Sequence, residues 1–84
     1  MSIAATVPSM VCNVLPALKA YLASIQHNLE SRPNGQLKYT FPDGLILNVY
    51  ETTGSVVFQG VGAGGSLAYQ IAAVINQLNV SVPV

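Results

Sequence analysis

The residues best placed to do chemistry are Gly60-Val61-Gly62-Ala63-Gly64-Gly65-Ser66. A glycine run between a strand and a helix presents backbone N–H groups to an anion, and the helix N-terminus adds partial positive charge. A site of that kind would use Gly62, Gly64, Gly65 and the Ser66 hydroxyl, and would take a nucleotide-like ligand. No Lys-Ser/Thr pair is present, so the run is not a P-loop. Neither a parallel βαβ unit nor a following acidic residue supports a dinucleotide fingerprint. The same residues also read as a flexible connector that turns the chain from sheet to helix, with Ser66 as the helix N-cap.

Other chemistry is sparse. His27 is the sole histidine and Cys12 the sole cysteine. Together they make too few soft ligands for a structural zinc site, and no metal or cofactor is expected. Asp43 falls in a turn, Glu51 at a strand end and Glu30 near a helix end, so no acid–base pair forms. A nucleophile needs an oriented base, and neither Ser66 nor Cys12 has one, so the reading is of a protein without catalytic residues. His27 is expected on the outer side of the first helix. Tyr21 and Tyr39 read as core, whereas Tyr50 and Tyr69 fall on outward faces where an amphipathic ring suits an interface.

The elements that must position these groups follow from periodicity. Val11, Leu15, Leu18, Leu22, Ile25 and Leu29 keep helical steps, which predicts a first helix from about Leu15 to about Glu30, stopped by Ser31-Arg32-Pro33-Asn34-Gly35. Leu37, Tyr39 and Phe41 alternate as a strand. Pro42-Asp43-Gly44 is turn chemistry; Leu45, Leu47 and Val49 line one face of the next strand, and Thr52-Thr53-Gly54 turns into Ser55–Gln59. Leu67, Ile71, Val74 and Leu78, flanked by Ala68 and Ile75, form the inner stripe of a last helix. The expectation is one α+β domain over residues 1–84: a helix, a three-stranded antiparallel meander and a helix, both helices on one sheet face. Residues 1–8 read as a loose arm or a short edge strand, and residues 80–84 as an extended apolar tail. The open face would carry Lys38, Thr40, Ile46, Asn48, Tyr50, Val57 and Gln59.

Composition sharpens the functional reading. The chain is 51% hydrophobic and only 7% charged, with a formal net charge of zero, against about 25% charged in ordinary soluble domains. No charged residue follows Glu51. A domain this short has a thin core, and an uncharged, half-apolar surface favours association. Ile46 and Val57 on the sheet, Tyr69, Ala73 and Asn76 on the last helix and Val82 in the tail are the expected contact residues. Polar residues interrupt every apolar stretch before it reaches the length of a membrane span. The lone cysteine and the lack of a signal-like segment suit the cytoplasm.

The segment Phe-Pro-Asp-Gly-Leu-Ile-Leu-Asn-Val-Tyr-Glu-Thr-Thr-Gly-Ser-Val-Val-Phe-Gln, residues 41–59, followed by Gly60, resembles TATA-binding-protein-like domains, such as the substrate-binding N-terminal region of ribonuclease HIII. The shared features are a strand ending in Val-Tyr, a Thr-Gly turn, and a strand ending in Phe-Gln-Gly before a helix. The resemblance implies a curved antiparallel sheet with helices behind and a concave face free for a ligand, often nucleic acid. It would place the binding role on Lys38, Asn48, Tyr50 and Gln59. The chain departs from a nucleic-acid binder in charge, because affinity for phosphates comes from Lys and Arg and the whole chain has three. The sequence is therefore read as a small self-associating binding protein. Phages and mobile elements use such proteins against host defences, by occluding a host protein or by sequestering a nucleotide-like signal. A nucleic-acid-binding accessory module and a structural oligomer subunit are the alternatives.

Overall fold

A computed structural model of the chain describes residues 6–81. Its order is β1 (Met10–Val11), α1 (Leu15–Ala23), β2 (Asn28–Arg32), β3 (Gln36–Thr40), β4 (Ile46–Tyr50), β5 (Ser55–Gln59) and α2 (Ser66–Ser81). The strands form one five-stranded sheet in the order β1-β5-β4-β3-β2, with every neighbouring pair antiparallel. The α+β class and the meander through β3, β4 and β5 agree with the sequence. Two strands were not foreseen.

The first helix is shorter than its periodicity predicts. It starts at Leu15 with proline in its first turn, where a missing N–H costs nothing, but it ends at Ala23 instead of near Glu30. Ser24 closes it, its hydroxyl donating to the Tyr21 carbonyl at 2.6 Å and its N–H to the same oxygen at 3.1 Å. Leu18 and Leu22 supply the buried face. Leu29, assigned to the helical stripe, instead lies in β2 and is 50% exposed. Pro33-Asn34-Gly35 is a 3₁₀ turn whose Asn34 and Gly35 take φ of 67° and 76°. It closes a hairpin in which Arg32 faces Gln36 and Asn28 faces Thr40. The Asn-Gly signal was sound; it joins two strands instead of ending a helix.

β1 also departs from the expected helical stripe. Val11, also counted in the helical stripe, pairs with Ser55, and Met10 with Val56. The edge strand is therefore at residues 10–11, past the arm expected at 1–8. Within that arm Val7 is buried, and its N–H donates to the Ala63 carbonyl at 2.9 Å; residues 1–5 lie outside the described part. At the other end α2 runs on through Val80 to Ser81, so the tail is not extended there, and residues 82–84 are outside the described part.

Both helices cover one face of the sheet. The core joins Leu18 and Leu22 of α1 and Ala68, Ile71 and Ile75 of α2 to Leu37, Tyr39, Leu47, Val49, Val56 and Phe58 of the strands. The α2 stripe is turned slightly from the expected one: Val74 is only half-buried while Ala68 and Ile75 are fully covered. Among the described residues the other face of the sheet carries no helix. Among the described residues no helix is long and apolar enough to cross a membrane.

Candidate functional site

The helix-free face is built by the alternation of β3, β4 and β5. It presents Gln36, Lys38 and Thr40, then Ile46, Asn48 and Tyr50, then Ser55, Val57 and Gln59, in rows fixed by the register. At its centre Asn48 is 5% exposed, although no helix covers it. The Gln36 side chain donates through Nε2 to Asn48 Oδ1 at 2.9 Å, and Asn48 Nδ2 donates to Gln59 Oε1 at 2.6 Å. Three carboxamides thus form a diagonal ladder across three strands, flanked by the half-buried Ile46, Val57, Tyr50 and Lys38. Among the described residues no buried side-chain nitrogen or oxygen lacks a partner. Asn48, the buried centre of the ladder, is thus satisfied on both its oxygen and its nitrogen, which offsets the penalty of burying it.

Lys38, Asn48, Tyr50 and Gln59 therefore share this one surface. Its charge is slight. Lys38 lies across from Glu30 in the β2–β3 register, and the Arg32 guanidinium is 3.4 Å from the Glu30 carboxylate. Lys19 is elsewhere, paired with Glu51.

The glycine run lies apart from that face, packed against the turn before β4. Gly60 has φ of 82°, and a Cβ there would meet the Gly44 carbonyl, so only glycine fits. Gly62 is buried; a Cβ on it would sit 2.5 Å from the Leu45 nitrogen and 3.0 Å from Asp43 Oδ1. The Asp43 carboxylate accepts the Leu45 N–H at 3.0 Å and lies 3.8 Å from the Cβ position of Gly65. The carboxylate thus stands next to the start of α2, the end of a helix that favours negative charge. Ser66 is the first helical residue and not the cap: Tyr69 N–H donates to the Gly65 carbonyl at 3.2 Å, so Gly65 holds the cap position.

The expected contact residues fall on two surfaces. Ile46 and Val57 are on the sheet face. Tyr69, Ala73 and Asn76 are exposed on the outer side of α2, where Ala73, Asn76, Gln77 and Val80 line a shallow depression of about 430 Å³. Val82 lies outside the described residues.

His27 is better held than the sequence suggested. Its Nδ1–H donates to the Ile25 carbonyl at 2.6 Å, and its ring lies 5.2 Å from that of Tyr39 and 6.1 Å from that of Phe41. It lines a pocket of about 270 Å³ with Gln26, Asn28, Thr40, Phe41 and Pro42. The strand register puts His27 beside these aromatics, a placement hidden while residues 24–30 read as helix. Cys12 is buried. Among the described residues no group of three His, Cys, Asp or Glu side chains could hold a metal.

No family model, curated protein or solved structure matches the chain.

Proposed function

We propose that this chain is a small, non-catalytic, self-associating binding protein, and that the helix-free sheet face is what it offers to a target. One observation carries the reading. Large apolar side chains face outward on a molecule with six charged residues: Val61 is 94% exposed, Val80 85% and Tyr69 52%, while the half-buried Ile46 and Val57 lie on the separate sheet face. With so few charges to surround them, exposed apolar side chains favour contact with another chain. The Gln36–Asn48–Gln59 ladder supports the same view, since it gives a partner a polar centre whose middle side chain, Asn48, is already buried and bonded on both sides. Of the two actions considered for an inhibitor of host defence, occlusion of a protein is favoured over sequestration of a nucleotide-like signal, because Asp43 already sets a negative charge beside the glycine run. Light scattering over a concentration series tests self-association. The expected result is a mass above one chain that rises with concentration; a single-chain mass throughout would overturn it.

The second reading, a nucleic-acid-binding accessory module, is favoured by the resemblance to TATA-binding-protein-like domains, which imply a free concave face in this position. Charge opposes it: Lys38 and Arg32 share their side of the sheet with Glu30. Oligonucleotide binding that falls steeply with salt would restore it.

A further inference from the structure

We propose that two copies of the chain join edge to edge through β2, antiparallel about a two-fold axis at Ser31, so that their sheets run on into one. The inference rests on the self-association proposed above and names where the copies meet.

The two sheet edges are treated differently. At the β1 edge a side chain from α2 occupies the outward backbone groups: Asn79 Nδ2 donates to the Val11 carbonyl at 2.8 Å, and Asn79 Oδ1 accepts the Asn13 N–H at 2.8 Å. That edge is two residues long and closed to a further strand. At the opposite edge β2 runs for five residues, all of them exposed. Among the described residues no side chain bonds to its backbone. An unpaired edge of this length is a template for another strand. Leu29, half-exposed on the helix side of β2, adds apolar surface at the same edge.

The side chains select one alignment. In an antiparallel pair of identical strands about an axis normal to the sheet, facing residues share a sheet face, so the axis falls on a residue. An axis at Glu30 sets Glu30 against itself, and one at Arg32 sets Arg32 against itself; like charges directly opposite are destabilising. An axis at Leu29 sets Asn28 against Glu30 and forms no ion pair. With the axis at Ser31, Glu30 faces Arg32 of the second copy twice over, and Leu29 faces Pro33. In the single chain Glu30 and Arg32 lean on each other along one strand at 3.4 Å; pairing gives each an opposite charge directly across. Charges and proline on an edge ordinarily discourage pairing. Here they discourage the wrong registers.

The test combines cross-linking with charge reversal in the full chain. Ser31→Cys in a Cys12→Ala background brings two thiols together at the axis, within the Cα separation a disulfide accepts, and mild oxidation is expected to give a covalent dimer. Leu29→Cys, made in parallel, is expected not to. Glu30→Arg and Arg32→Glu each turn two attractive contacts repulsive and should weaken the dimer by about tenfold or more; the double reversal should restore it. Circular dichroism confirms that each variant is folded. An associating protein that ignores charge reversal, or that cross-links through residue 29 and not 31, overturns the edge proposal and leaves self-association standing. A protein monomeric at every concentration removes both.

Discussion

Replacing Gly62 by alanine tests whether the glycine run is a packed connector. The added Cβ would lie 2.5 Å from the Leu45 nitrogen and 2.9 Å from its Cα. These are backbone atoms and cannot swing aside. Leu45 is fully buried, and its N–H is held by the Asp43 carboxylate, so relief requires the turn before β4 to move off the loop. Overpacking of this kind costs about 1–3 kcal/mol, a large share of the roughly 5–15 kcal/mol that holds a domain together. At about 4–8 °C per kcal/mol for a chain of this size, the variant should melt roughly 5–20 °C below the parent. Gly65 is the control. It has no positive φ, and a Cβ there would come no nearer than 3.3 Å to the Gly62 carbonyl, so Gly65→Ala should cost clearly less, under about 1 kcal/mol. Thermal and urea denaturation read both. A Gly62→Ala protein that melts with the parent would refute the packing argument. If Gly65→Ala fell as far as Gly62→Ala, the run would need glycine for a reason other than this contact.

Further predictions concern the ladder, the blocked edge, the buried phenol and the surface ion pair. Asn48→Ala removes two hydrogen bonds, and because Gln36 and Gln59 can return to water the loss should be about 1–2 kcal/mol in urea denaturation. Asn79→Ala uncaps Val11 and Asn13 at the β1 edge; stability should drop by about 1 kcal/mol, and turbidity on standing should rise as that edge opens. Burial raises the Tyr39 phenol above its ordinary 10.0, with Lys19 lowering it and Glu51 raising it by smaller amounts. The folded chain therefore keeps this proton to higher pH than the unfolded chain, so its contribution is complete below about pH 10 and is lost as pH rises through the folded value. Tyr39→Phe should remove that part of the alkaline loss. The Lys19–Glu51 pair is more than a third exposed on both sides, and Glu51→Gln should change the urea midpoint little, as exposed ion pairs do.

The part of the fold legible in the sequence is the part where one side of a strand is buried. Leu37 and Tyr39, Leu47 and Val49, and Val56 and Phe58 alternate with a set that is on balance more polar (Lys38, Thr40, Asn48, Gln59), and that pattern assigns both faces of the central strands. β2 gave no such signal. As an outer strand with every residue exposed it has no apolar alternation to show, and Leu29 happened to continue the helical steps of Leu22 and Ile25. Pro33-Asn34-Gly35 reads as a stop because the strand before it carries no period; the Asn-Gly pair in front of an alternating run is the clue to a hairpin. β1, at two residues, is too short to carry any period. The Asn79 cap spans 66 and 68 residues of sequence, and nothing local marks it. Of the candidate site, the open-face residues were legible, while Asp43 beside the glycine run was not, because that contact depends on how two turns meet in space.

The distribution of charge ties these features together. Three of the six charged side chains, Glu30, Arg32 and Lys38, lie on β2 and β3, at one edge of the sheet. The sheet beyond them and all of α2 are uncharged. A chain that needed charge only to stay soluble would spread it over the surface. Grouped at the unblocked edge, with opposite signs two residues apart, the same charges would fix how a second strand lies in the proposed pairing. An edge contact held by ion pairs weakens as salt screens it, whereas contact through apolar faces strengthens in sulfate. The response of association to sodium chloride and to sulfate therefore tells which surface meets which, and a dimer indifferent to sodium chloride but favoured by sulfate would move the contact from β2 to the faces.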